Sequence, residues 1–248
     1  MDEKMTALSP CWQVPQNVHA LTTLRNGGVS QAPYTSFNLG DHVGDNPSAV
    51  KKNRDLLVKQ FGLPQFPLFL TQTHSTDVIC LPYQGKDLKA DAVYTDKPAQ
   101  VCLVMTADCL PVLFTSQKGN EVAAAHAGWR GLCDGILEET VKRFQCPRDE
   151  IIAWFGPAIG ATAFQVGREV ADQFIAQDVQ AEQAFVSDPT DKGKYLGNLY
   201  QIAEQRLHRM GIKQVSGGEH CTYTEENKFF SFRRDGKTGR MASLIWFD

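Results

Sequence analysis

The sequence predicts one α/β (mixed α+β) domain built on mixed β-sheets. Three observations carry this reading. Short apolar, strand-like runs are interspersed with amphipathic helical stretches, without the strict βαβ alternation of a doubly wound parallel sheet. No linker divides the 248 residues, so 1–248 reads as a single catalytic domain. The G-x-G-x-x-G fingerprint that opens a dinucleotide-binding fold is missing.

The elements follow in order. Residues 22–47, TTLRNGGVSQAPYTSFNLGDHVGDNP, are rich in Gly, Asn, Pro and Ser and read mostly as turn and loop. NPSAVKKNRDLLVKQFG is a helix, with Asn46 as N-cap, Pro47 at the first helical position and Gly62 as the stop. PLFLTQTHSTDVICL holds β-rich runs on either side of a polar turn. AQVCLVMTADCLPVLFTS holds two apolar runs around TADC, and EVAAAHA is a further short strand. LCDGILEETVKRF reads as one helix with Leu132, Ile136, Leu137, Val141 and Phe144 on one face. EIIAWFGPAIG is a strand entering a Gly-Pro turn. FQVGREVADQFIAQ and NLYQIAEQRLHRMGI are helices, the second with Leu199, Ile202, Ala203, Leu207 and Met210 on one stripe. NKFFSFRRDGKTGRMASLIWF reads as two strands around a DGKTG turn.

Composition narrows the function. A hydrophobic fraction of 42% and a charged fraction of 21% are those of an ordinary globular protein. With a net charge of −3 and no basic stripe, no nucleic-acid partner is expected. The apolar runs are too short to span a bilayer, so no membrane association is expected either. MDEKMTALSPCWQVPQ lacks the apolar core of an export signal. The seven cysteines are scattered and odd in number, so they read as reduced thiols of a cytoplasmic protein. A monomer or a small homo-oligomer fits all of this.

Several catalytic signatures are absent. GKT at 236–238 resembles the end of a phosphate-binding loop, but Ser231 stands where its first glycine belongs, so a hairpin turn is the better reading. There is no G-x-S-x-G elbow, no H-E-x-x-H and no cytidine-deaminase zinc signature.

A smaller constellation remains. His74 in TQTHSTD, Cys109 in TADCLP and His126 in AAAHAGW all sit in small polar turns at the ends of strand-like runs. Such turns collect on one side of a sheet, where sites form. Imidazole and thiolate suit zinc, and catalytic zinc takes three protein ligands and keeps a fourth position open. The plain alternative is that each is merely packed. His208 falls on the polar side of its helix, and His19 and His42 read as loop residues. His220 adjoins Cys221 and cannot chelate with it if the two lie on a strand. Arg25, Arg130, Arg233 and Arg234 sit in or beside turns. Arg130, at the start of the helix after His126, is the best placed to hold an anion.

TADCLPVLF, AAAHAGWRG, GPAIG and FFSFRRDGKTGRMAS, together with RNGGVS and FNLGDHVGDNP, closely resemble the YfiH-like family. Its members are variously called polyphenol oxidase or laccase-domain proteins, purine nucleoside phosphorylases and peptidoglycan editing factors. The resemblance covers nearly the whole chain. It implies sheets flanked by helices, similar to a deamidating bacterial toxin, and a zinc or copper site formed by His74, Cys109 and His126. It further implies catalytic roles for Cys109 and His126, and substrate contacts from Arg25, Asn38, Arg130 and Arg233. Where members often read QVHG, this chain reads QTHS; the ligand is kept but its neighbours differ.

The residues arbitrate among these activities. A multicopper laccase needs many histidines, often as His-x-His pairs, whereas this chain has six and no such pair. A metal-dependent purine nucleoside enzyme fits better, acting on adenosine, inosine or methylthioadenosine with phosphate as co-substrate, or deaminating adenosine. Asp108, beside Cys109, is the candidate proton shuttle, with turn capping as its alternative role. A second reading makes Cys109 the nucleophile and His126 its base, in a hydrolase that edits peptidoglycan precursors carrying Ser for Ala.

Overall fold

The computed structural model describes residues 7–248. The first part of the stretch read for an export signal, residues 1–6, lies outside them. The strands are β1 (Ala7–Leu8), β2 (Val18–Thr23), β3 (Val78–Leu81), β4 (Ala92–Thr95), β5 (Cys102–Thr106), β6 (Leu110–Ser116), β7 (Val122–Ala127), β8 (Ile151–Phe155), β9 (Gln165–Gly167), β10 (Phe185–Ser187), β11 (Lys194–Gly197), β12 (Gln214–Gly217) and β13 (Met241–Phe247). The helices are α1 (Pro47–Phe61), α2 (Trp129–Asp134), α3 (Ile136–Val141), α4 (Arg168–Gln177), α5 (Leu199–Arg209) and α6 (Phe232–Asp235).

Side-chain alternation along the strands sets the layers. In β13, Leu244 and Trp246 face one way, into a cluster with Leu57 of α1. Ile245 and Phe247 face the other way, against Val93, Leu113 and Ala124. On the far side of that second group, Val112, Phe114, Ala123 and Ala125 pack under Leu132, Ile136, Leu137, Phe174 and Ile202. The result is four layers: α1, then the antiparallel sheet β1-β2-β13-β5, then the mixed sheet β12-β8-β6-β7-β4-β3, then α2 to α5. A third, three-stranded sheet, β10-β11-β9, joins the helical side. The central strands of both large sheets, β4 to β8 and β13, are buried on two faces, so they read as continuous apolar runs. Mixed sheets flanked by helices are as the sequence predicts.

Local expectations fare unevenly. α1 is capped by Asn46, whose side chain accepts from the Ser48 amide, and it stops before Gly62. Four readings are corrected. LCDGILEETVKRF is two helices, because Gly135 takes φ +106° between α2 and α3, a conformation open to glycine. FQVG is strand β9, paired with β11, and only Arg168 onward is helical. In the C-terminal stretch only β13 is a strand; the FRRD segment is α6, capped by Ser231, whose side chain accepts from the Arg234 amide. His19 lies in β2, stacked on Trp246 at 5.2 Å, and not in a loop. Among the described residues no helix is long and apolar enough to cross a membrane.

Candidate metal centre and substrate cavity

Strand ends bring the three ligands together. TADC is the crossover from β5 in one large sheet to β6 in the other, and Asp108 there adopts φ +92°. β6 and β7 are antiparallel neighbours with Pro111 opposite His126, so Cys109 and His126 share one end of the sheet. The segment before β3 brings His74 over the same end, at φ +62°. Positive φ at two non-glycine residues marks backbone held in place by its surroundings. Gln72 does part of that holding: its side chain donates to the Met105 carbonyl and accepts from the Met105 amide, both at 2.7 Å.

The candidate ligand atoms of His74, Cys109 and His126 all lie within 4.8 Å of one another. His74 Nε2 is 3.7 Å from Cys109 Sγ. Zinc with nitrogen at about 2.0 Å and sulfur at about 2.3 Å in tetrahedral geometry places those atoms about 3.5 Å apart. The donor set therefore fits a metal. Among the described residues this is the one such cluster of three or more.

Asp91, which the sequence reading missed, organises the cluster. It is fully buried. Its carboxylate accepts from the amides of Thr73, His74 and Ser75 and from the Ser75 hydroxyl. It also accepts from His126 Nδ1 at 2.8 Å. A carboxylate only accepts here, so Nδ1 carries the proton and Nε2 is left for a metal. One buried carboxylate thus orients both histidines. Gly128 completes the fit, since a Cβ there would lie 2.4 Å from His74 Cδ2 and 3.1 Å from Cys109 Sγ.

The electrostatics follow from this crowding. Burial alone raises the Cys109 thiol, but the charge and hydrogen bonds of His126 and His74 overcome it and hold it at about 6. Burial works against a charged His126, yet Cys109 and Asp91 lift it to about 9. Burial also opposes ionised Asp91, and its hydrogen bond with His126 brings it down to about 2.

The cluster sits on a cavity of about 470 Å³, whose walls include Trp129, Phe164 and Phe232. Arg130, Arg233 and Arg240 line it as well. Arg130 lies over the Trp129 ring at 4.4 Å. Arg233 donates to the Gln165 carbonyl. Asp108 reaches the cavity; its Oδ1 accepts from the Thr222 hydroxyl and its Oδ2 from the Arg233 amide, each at 2.6 Å. These contacts are of the capping kind and leave each oxygen a further lone pair.

Two expected substrate contacts lie elsewhere. Arg25 is outside this cavity; it donates to the Thr35 and Glu226 carbonyls and stacks over Phe230. Asn38 is buried and brackets two segments, donating to Gly40 and Asp45 and accepting from the Gly40 and Arg240 amides. It positions Arg240 and does not face the cavity. Arg240 and His42, in contrast, line the cavity without having been singled out. Both lie within stretches that carry the family resemblance, FNLGDHVGDNP and FFSFRRDGKTGRMAS, where nothing local marks either side chain as facing the site. His220 pairs with Glu225 and His208 is exposed, so neither joins the site.

The family described as multi-copper polyphenol oxidoreductase laccase matches residues 19–248. A Haemophilus influenzae protein named purine nucleoside phosphorylase is 68% identical, over 98% of this chain and 100% of its own length. Escherichia coli purine nucleoside phosphorylase YfiH is 53% identical, over 96% and 97%. Among solved structures, a Neisseria meningitidis protein matches with a TM-score of 0.92 at 50% identity, covering 98% of this chain and 99% of that one. The Bacillus licheniformis hypothetical protein YfiH matches at 0.86 and 34% identity, over 93% of each chain. The chain belongs to this laccase-named, YfiH-like family.

Proposed function

We propose, on the premise of that membership, that the chain is a metal-dependent purine nucleoside enzyme. Its reactions are phosphorolysis of adenosine, inosine or methylthioadenosine to base and pentose 1-phosphate, and deamination of adenosine to inosine. One observation carries this: a three-ligand His–Cys–His cluster opens onto a cavity walled by aromatic rings and arginines.

The ligand set is His74, Cys109 and His126, with zinc the better match and copper the alternative. When bound, such a metal supplies a Lewis acid with an open coordination position. The chain's own residues do the rest. Trp129, Phe164 and Phe232 offer flat apolar faces for a purine. Arg130 and Arg233 offer guanidinium groups to an oxyanion. In phosphorolysis, a phosphate oxygen bonds to C1′, the bond from C1′ to the base nitrogen breaks, and the base leaves with that electron pair and takes a proton. Asp108 accepts one hydrogen bond on each oxygen and keeps a further lone pair on both, so it can take this proton while Thr222 and the Arg233 amide hold it in place. Full turnover in Asp108→Asn removes it from that role and leaves it as a cap.

The laccase name fits this chain poorly, because one three-residue cluster does not build a multicopper site. The test is product analysis. Pure protein is incubated with adenosine, with and without phosphate, and nucleosides, bases and sugar phosphates are separated by chromatography. Inosine without phosphate, or free base only with phosphate, supports the proposal; no turnover in either condition removes it.

A second reading has its own observation. Cys109, held near 6 beside a raised His126 backed by Asp91, is also the order of a cysteine hydrolase. In that version Cys109 attacks an acyl carbon, as in a precursor carrying the wrong amino acid. Stoichiometric metal that Cys109→Ser loses counts against it.

A further inference from the structure

The cavity does not end at Phe232. Beyond that ring, itself 58% exposed, lies a second lobe of about 460 Å³. His42, Phe232 and Arg240 line both lobes, while Lys237 and Thr238 line only the second. The main cavity carries most of the aromatic and aliphatic walls along with the His–Cys–His cluster, Asp108 and its own arginines; the titratable groups lining the second lobe are His42, Lys237 and Arg240, all basic.

Arg240 is set up to meet an anion. Its Nη1 donates to the Thr238 and Gly239 carbonyls, which fixes the plane of the guanidinium. Among the described residues no carboxylate lies within ion-pair distance of it. The anionic groups that act on it from the main cavity are Cys109 and Asp108, and Asp108 is held in place by the Thr222 hydroxyl and the Arg233 amide. On the other side, Asp41 beside His42 is engaged by Arg54. A second observation is independent of charge. Thr238 is 2% exposed and its hydroxyl has no hydrogen-bond partner, although it lines the lobe. Thr106, 1% exposed, repeats this in the main cavity. Buried hydroxyls are seldom without a hydrogen-bond partner, whether protein, water or ligand.

We propose that the second lobe is a phosphate-group subsite, with Arg240 as its principal donor and Lys237 and Thr238 beside it. Arg240 lines both lobes, so a phosphate held there abuts whatever fills the main cavity. That neighbour is a nucleoside on the reading given above, and only this clause rests on that reading. The phosphate is either free orthophosphate or the phosphate borne by a nucleotide.

The test is direct binding. Orthophosphate is titrated calorimetrically into the zinc-loaded protein and into Cys109→Ser, which separates phosphate on the lobe from phosphate on a metal. Binding is expected in both. Arg240→Gln is expected to weaken it by about tenfold or more, and Lys237→Gln by about threefold. Adenosine affinity, measured in parallel, is expected to stay unchanged in Lys237→Gln. A second arm compares AMP with adenosine. Tighter binding of AMP that Arg240→Gln abolishes assigns the lobe to an attached phosphate. Equal binding, with orthophosphate still taken up beside adenosine, assigns it to the free ion. Absence of phosphate binding, its loss on metal removal alone, or its indifference to Arg240→Gln and Lys237→Gln overturns the proposal. If Arg240→Gln lacks the wild-type thermal transition, Lys237→Gln and Thr238→Val decide by the same criterion. Phosphate binding without adenosine binding leaves the lobe standing and removes the nucleoside reading instead.

Discussion

Asp91 holds the site together at the scale of single residues. Five donors converge on its carboxylate, from Thr73, His74, Ser75 and His126. Replacement by Asn keeps the shape but loses the charge and some of the acceptors. Second-sphere partners of this kind contribute about 10- to 100-fold in metal affinity. Asp91→Asn is expected to lose zinc to a chelator at correspondingly lower concentration, with the thermal transition retained. The pH dependence follows from the same pair. In metal-free protein the Cys109 thiol is held down to about 6, so its thiolate persists above that pH and alkylation by iodoacetamide should rise through pH 6 and level off. Asp91→Asn removes support for the His126 cation, so the alkylation midpoint should move upward. Asp91 itself is depressed to about 2. The stability it contributes is present above its unfolded value near 4 and is lost as the pH falls through about 2. Asp91 was not legible in the sequence because KADAVY carries no motif. Its partners lie 16 to 35 residues away and meet it only in the folded chain.

At the scale of elements, what was legible is what local pattern encodes. α1, with its cap, its proline and its terminal glycine, is specified within its own residues. So is EVAAAHA, an unbroken apolar run ending in a polar turn. β9 was not, because its strand partner lies at 194–197 and FQVG alone continues smoothly into a helical pattern. α6 was not either, because its four residues make a single turn, too short to show a helical period, and beyond its local cap Ser231 it is held by Asp108, far back in the chain, which accepts from the Arg233 amide. Two glycines carry predictions here. Gly135→Ala forces an L-residue to φ +106° and should lower the unfolding free energy by about 1–2 kcal/mol, read as a lower urea midpoint with m unchanged. Gly128→Ala drives a methyl group against His74 and Cys109. Its expected signature is loss of metal content while secondary structure by circular dichroism stays unchanged.

Across the whole molecule, the four layers explain why the site lies where it does. β5 and β6 belong to different sheets, so the crossover between them must pass the end of the sandwich, and Cys109 rides on it. β7 ends beside it and delivers His126. That three turns would converge could be read from the sequence; that two sheets pack face to face could not. Strands buried on both faces show no alternation from which to read a layer. The same packing gathers Arg130, Arg233 and Arg240 from distant parts of the chain around one cavity, leaving it rich in cations over anions. The central claim is that one metal, held by His74, Cys109 and His126, makes this cavity a nucleoside enzyme. It is tested most directly by measuring metal per chain and phosphate-dependent release of base from adenosine on the same samples: wild type, chelator-stripped protein, stripped protein returned to zinc, and Cys109→Ser. The account predicts one equivalent of metal and activity that leave together, return together with zinc, and are both absent from Cys109→Ser. Stripped wild-type protein releasing base at the full rate would contradict it.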